Sequence, residues 1–168
     1  MKAIQITAFG GPDVMKYVDL ADPVAGTDEV VLDVTAVGIN YADTHQTENS
    51  YLSPQTLPMI PGIEVVGTHA GKRYLASVSS GGYAQKAIAH TSVLFPIPDA
   101  VTDEQALCML VQGATAWHLL KTMGNLQKGQ SVEVHAAAGG VGTIAIQLAK
   151  MWGAKVIAVA SSEGKRAL

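Results

Sequence analysis

The chain has 168 residues, room for one domain or for one complete domain plus part of another, and its 48% hydrophobic and 15% charged content can bury a core. A net charge of −3 with no basic run disfavours nucleic acid as the main partner, because neutralising phosphates needs clustered Lys and Arg. Cys108 is the only cysteine, which excludes an internal disulfide and any multi-cysteine zinc site and fits a reducing compartment.

The N-terminus, MKAIQITAF, alternates as a strand does and lacks the apolar core of a signal peptide. A turn at Phe9–Asp13 is expected to return the chain as a second strand over Met15–Leu20. The β-branched run from Glu29 to Val37 reads as a main strand. Gly62–Thr68 and Arg73–Ser79 flank His69-Ala70-Gly71-Lys72, a tight hairpin, and Tyr83–Ala89 supplies a further strand. Short strands with regular turn signals point to a small barrel or sandwich over residues 1–100.

After Pro98 the pattern becomes helical. Thr102-Asp103-Glu104-Gln105 has capping-box spacing ahead of the apolar Ala106–Val111. Gly113 is expected to bend or divide the stretch, which resumes as Ala114–Met123 and stops at Gly124, so residues 101–124 read as linking helices. Residues 125–168 then give strand Ser131–His135, a glycine loop, helix Val141–Trp152 ended by Gly153, a second buried strand at Lys155–Ala160, and the first turns of a helix over Ser161–Leu168. Glu133, His135, Gln147, Lys150 and Lys155 interrupt the most apolar region, so no membrane span is expected and the protein reads as soluble and cytoplasmic.

Ala137-x-Gly139-x-x-Gly142 is the dinucleotide fingerprint with Ala first, set between a strand and a helix as the motif requires. A glycine at 139 admits backbone close to a pyrophosphate, and one at 142 lets helix and strand pack closely. Ala138, Gly139, Gly140, Val141 and Gly142 are therefore the candidate phosphate-facing backbone, where free N–H groups and the helix dipole favour an anion. The alternative is a close-packed strand–helix corner with no ligand. At the end of the second strand stand Ser161, Ser162, Lys165 and Arg166, two hydroxyls and two cations suited to a 2′-phosphate. That favours NADPH over NADH, with Glu163 as the dissenting residue and a solvated helix face as the other reading of Lys165 and Arg166.

Four blocks now carry a resemblance: Val37-Gly38-Ile39-Asn40-Tyr41-Ala42-Asp43-Thr44, Leu57-Pro58-Met59-Ile60-Pro61-Gly62-Ile63-Glu64, Gly81-Gly82-Tyr83-Ala84, and Ala136–Gly142. In that order and at that spacing the chain resembles the medium-chain dehydrogenase/reductase superfamily, in its zinc-free quinone oxidoreductase (zeta-crystallin-like) branch. The resemblance implies a GroES-like β-barrel followed by the start of a Rossmann (doubly wound) domain that is incomplete at its C-terminus, with cofactor and substrate in the cleft between. It implies no catalytic zinc, since Asn40 and Ile63 stand where zinc-dependent relatives have Cys and His. The five histidines make no recognised metal-ligand spacing and read as surface or packed residues.

Hydride transfer from NADPH to an electron-poor acceptor, a quinone or an α,β-unsaturated carbonyl, is the activity the resemblance implies. It brings Asn40 near the nicotinamide, and Tyr51 to the cleft as a phenol donor. His45 stands where the family often has tyrosine, and Asp43 reads as a residue fixing its loop. Thr115 either touches the cofactor at the domain junction or bonds its own helix backbone. Between Gly67 and Gly81 the chain is shorter than usual for the family, and Gly71-Lys72-Arg73-Tyr74 replaces the usual Gly-Asp-Arg-Val. The chain is expected to be the N-terminal half of such an enzyme, inactive alone and homo-oligomeric when full length. A non-catalytic nucleotide-binding or crystallin-like module, or one half of a split or domain-swapped enzyme, are the alternatives.

Overall fold

The alternating N-terminal run forms β1 (Lys2–Gln5), and a turn through Gly10, Gly11 and a short 3-10 segment (Pro12–Val14) returns it as the antiparallel β2 (Lys16–Asp19). The computed structural model describes residues 1–167, and they divide into two units, Met1–Leu110 and a second beginning at Val111.

In the first unit, β3 (Glu29–Val37), β4 (Glu64–His69), β5 (Lys72–Ser77), β6 (Lys86–His90) and β7 (Leu94–Pro96) form an antiparallel sheet in the order β6-β3-β4-β5-β7. Bridges at Ala3–Ala84 and Ile6–Met59 tie the N-terminal segment to the third and second sequence blocks, giving a half-barrel. Strand alternation sends β4 side chains into two cores. Val65 packs with Leu32, Ala76, Val78, Ala87 and Ala89, while Val66 and Leu75 pack with Ala106 of α2 (Asp103–Cys108). Paired on both edges and covered on both faces, β4 is buried from Glu64 through Gly67.

The hairpin between β4 and β5 turns at Ala70 and Gly71, both at positive φ (49° and 74°), the geometry a two-residue turn demands. Thr102 caps α2 as its spacing predicts: its Oγ1 accepts from Gln105 N–H (3.2 Å), and Gln105 Oε1 accepts from Thr102 N–H (3.0 Å). Arg73 braces the approach to α2, donating to Asp103 Oδ1 (2.7 Å) and to the carbonyls of Val101 (2.6 Å) and Pro98 (3.1 Å). One helix, α1 (Tyr41–Thr47), falls where no helix was expected from the sequence.

The second unit opens in helical turns. Gly113 holds helical angles (φ −65°, ψ −49°), so it does not break the chain direction; the irregularity is a π-helical turn over Met109–Gly113, then α3 (Ala114–Trp117) and a second π turn, His118–Met123. β8 (Ser131–Val134), α4 (Gly140–Met151) and β9 (Lys155–Ala158) make one parallel β-α-β unit, with Val132 beside Val156, and α5 (Glu163–Arg166) follows. Ala116, Leu120, Leu126, Val134, Ala137, Ala145 and Ala149 form its core. Trp117 meets Trp152 edge to face at 5.2 Å, and Lys121 Nζ lies 4.3 Å from the Trp152 ring centre.

The apolar stretch Lys155–Ala160, read from its composition as a buried strand, is not buried. Ile157 is 56% exposed, because β9 pairs with β8 alone among the described residues. Among those residues no helix is long and apolar enough to cross a membrane.

Candidate functional site

Two sets of residues carry chemistry, one in each unit. In the first, Asn40 is the N-cap of α1, with extended backbone (φ −116°, ψ 150°) and 7% exposure. Its backbone N–H donates to Asp43 Oδ2 (2.7 Å), the reciprocal arm of a capping box. Its Nδ2 donates to Glu64 Oε1 (2.8 Å), a carboxylate with no solvent exposure. Asp43, itself buried, also accepts at Oδ2 from the Tyr83 hydroxyl (2.7 Å), while its Oδ1 and the neighbouring Gln46 Oε1 are buried without a hydrogen-bond partner among the described residues. Burial, and then the bond to the Asp43 carboxylate, push the Tyr83 phenol well above its ordinary range.

Two close approaches make the arrangement possible. A Cβ at Gly38 would fall on the Glu64 side chain. At Gly62 (φ +95°) it would stand 2.5 Å from the Tyr83 ring, whatever backbone strain it added. The first three sequence blocks, separate in the chain, thus meet in one buried hydrogen-bond network.

Ile39 and Tyr41, the chain neighbours of Asn40, are at least 80% exposed, as is Leu52, and Tyr51 is 40% exposed on the loop after α1. His45 sits on α1 with its ring edge-on to Tyr41 (5.0 Å) and its Nδ1 2.9 Å from Ser50 Oγ. The other histidines are engaged locally: His69 with Val31 O, His90 with Ser92, His118 with Thr122 and His135 with Glu133.

In the second unit the glycine loop opens α4. Gly139 is its N-cap and offers no side chain to cap the first turn. The N–H of Thr143 is the first of the helix to bond back, to Gly139 O (2.9 Å), which leaves the Gly140, Val141 and Gly142 N–H groups pointing out of the helix start. A Cβ at Gly142 would lie 2.5 Å from Ala136 O and 2.8 Å from Ala137 Cα, so only glycine allows this strand–helix approach.

Beside the loop is a cavity of about 410 Å³ lined by Ala136, Ala138, Gly139, Val159, Ala160, Ser161 and Lys165. Two of the four residues expected to receive a 2′-phosphate, Ser161 and Lys165, line it, with Lys165 Nζ 3.5 Å from Ser161 Oγ. Ser162 is instead the N-cap of α5, accepting from Lys165 N–H (3.3 Å), and Arg166 reaches back to Ala160 O (3.5 Å). Glu163 is exposed in the first turn of α5, where an acid is favoured by the helix dipole. Thr115 is exposed on α3.

A small antiparallel half-barrel followed by a glycine-loop β-α-β unit defines a class, and comparison with known proteins agrees. The family model of the alcohol dehydrogenase GroES-like domain matches residues 26–71. Over nearly its whole length the chain is similar to quinone oxidoreductases of the medium-chain dehydrogenase/reductase superfamily.

Among individual proteins it is 34% identical to human quinone oxidoreductase, over 97% of this chain and 54% of that one. The quinone oxidoreductase of Thermus thermophilus, solved also as its complex with NADPH, superposes with a TM-score of 0.92 at 41% identity, covering 98% of this chain and 55% of that one. The Escherichia coli quinone oxidoreductase complexed with NADPH superposes at 0.90 with 31% identity, over 98% and 54%. The chain spans about half the length of the relatives it matches.

What the sequence reading missed was the partnership. Glu64 and Tyr83 stood in the quoted blocks with no role given, though Gly38 and Gly62, the glycines whose space they fill, stood there too. A glycine cannot say from sequence which side chain will fill the space it leaves.

Proposed function

We propose that the chain supplies the cofactor-phosphate and acceptor-side residues of an NADPH-dependent oxidoreductase that reduces a quinone or α,β-unsaturated carbonyl without zinc. The observation that carries this reading is the cavity beside Gly139, with Ser161 and Lys165 on its wall. Superposition on quinone oxidoreductases solved with NADPH supports it.

The donor group suits the cofactor. Outward N–H groups at Gly140, Val141 and Gly142 receive a pyrophosphate, while a hydroxyl and an ammonium at Ser161 and Lys165 receive a 2′-phosphate. NADPH, when bound, supplies the hydride. With a quinone as acceptor the balance is quinone + NADPH + H⁺ giving hydroquinone + NADP⁺, the proton coming from water or from a phenol. Asn40 holds a fixed amide between its exposed chain neighbours Ile39 and Tyr41, and Tyr51 offers a hydroxyl to the acceptor oxygen.

A cytoplasmic setting and homo-oligomerisation belong to the same reading, and turnover by these 168 residues alone is expected to be negligible. Fluorescence titration of the chain with NADPH and NADH tests the cofactor. NADPH should bind at least about tenfold more tightly, and Lys165→Ala should abolish the preference while NADH binding persists. Equal affinities, or tighter NADH, would remove the case for Ser161 and Lys165.

A further inference from the structure

We propose that Tyr83, Asp43 and Glu64 form a single positioning device for Asn40, Tyr83 and Asp43 fixing its backbone and Glu64 fixing its side-chain amide. The inference rests on the reading of Asn40 as an active-site residue.

Two independent attachments converge on one residue. The Asn40 N–H meets Asp43 Oδ2 at 2.7 Å, a charge-assisted bond short enough to set the φ of the helix entry. A capping carboxylate on a surface helix would be free to leave. This one is not, because the Tyr83 hydroxyl grips the same oxygen at 2.7 Å from forty positions along the chain, and Tyr83 is wedged against Gly62. Oδ1 has no hydrogen-bond partner among the described residues, and two donors converge on Oδ2 to hold this buried carboxylate in place. Losing one should therefore be felt by the other.

Glu64 does the complementary task. Its Oε1 accepts from Asn40 Nδ2, so it holds the NH₂ end of the Asn40 amide toward β4. It sits on β4, the most rigidly enclosed strand of the sheet, and Gly38 leaves the space its side chain fills. The amide is thereby referenced to the sheet while the backbone is referenced to the Gly82-Tyr83 turn.

The device should be visible in the chain itself, without cofactor or turnover. Tyr83→Phe keeps the ring against Gly62 and removes only the hydroxyl. Single-residue amide hydrogen exchange should then show Asn40 N–H exchanging about tenfold faster, with the Val65 and Leu75 amides of the ladder unchanged. Glu64→Gln, isosteric but able to present either end of its amide, should speed solvent exchange of the Asn40 side-chain NH₂ protons about tenfold, read by NMR.

Unchanged Asn40 protection in Tyr83→Phe overturns the proposal. So does faster exchange spread equally over Val65 and Leu75, which would mean loss of stability and no specific hold on Asn40. If Asn40 loosens as expected but hydride transfer in a complete enzyme carrying this segment does not change, the functional reading of Asn40 fails and the positioning device stands.

Discussion

β4 and β9 begin alike, each with one charged residue before a short apolar run, Glu64-Val65-Val66 and Lys155-Val156-Ile157. Their fates are opposite. Glu64 has no exposed surface and its carboxylate is held by Asn40, whereas Lys155 and Ile157 face solvent. The difference lies in neighbours: β4 has β3 and β5 on its edges and a core on each face, while β9 has β8 on one edge and α4 packed against it. Composition sets what a strand can bury, and topology sets what it does bury.

The comparison can be broken experimentally because the chromophores are segregated. Both tryptophans, Trp117 and Trp152, lie in the second unit, and the tyrosines at 17, 41, 51, 74 and 83 lie in the first. The largest effect is expected from Leu32→Ala, which empties a fully buried site in the half-barrel and should cost about 3 kcal/mol, read as a lower denaturant midpoint in the tyrosine signal. Ile157→Ala, on the exposed face of β9, should cost less than about 1 kcal/mol in the tryptophan signal. Equal losses would mean that β9 is enclosed in solution.

An intermediate effect is expected at alkaline pH. The folded state holds the Tyr83 phenol un-ionised, above the value of about 10 for a free tyrosine. Stability from this group is therefore full below that pH and falls as pH rises through the folded value. The half-barrel should weaken above about pH 10, and Tyr83→Phe should flatten that limb while removing one ionisation-resistant phenol from the 295 nm titration.

The smallest effect belongs to two exposed acids. A hydrogen bond from the N-terminal ammonium lowers Asp22, and the backbone N–H at its own position lowers Glu104. Lowered carboxylates contribute stability that is present above their unfolded values and is lost as pH falls through the folded ones. Asp22→Asn should shift the acid-unfolding midpoint only slightly, since water screens the pair.

Sequence carried the elements well where period and punctuation coincide. The Thr102 capping box, the Ala70-Gly71 turn and the glycine loop with its strand and helix all appear where their spacing put them. It failed at α1, whose seven residues are too few to show a helical period and which owes its place to Asp43 being gripped from Tyr83. At β9 the strand lies where it was expected, and the burial of its apolar run depends on flanking strands, of which β8 alone is present among the described residues. Among the phosphate candidates, Ser161 and Ser162 looked equivalent. Only the start of α5 separates the cavity-lining hydroxyl from the one spent on the helix cap.

The hairpin between β4 and β5 also defines a handle. Ala70 and Gly71 are exposed, and a Cβ added at Gly71 meets nothing within 4 Å. Two residues later, Arg73 is anchored to three oxygens of the segment entering α2. Register is therefore secured below the tip, and each doubling of the loop adds only about 0.6 kcal/mol of closure entropy. An affinity tag or a natural insertion between Ala70 and Gly71 is therefore expected to vary in length without being felt in the strands beneath it.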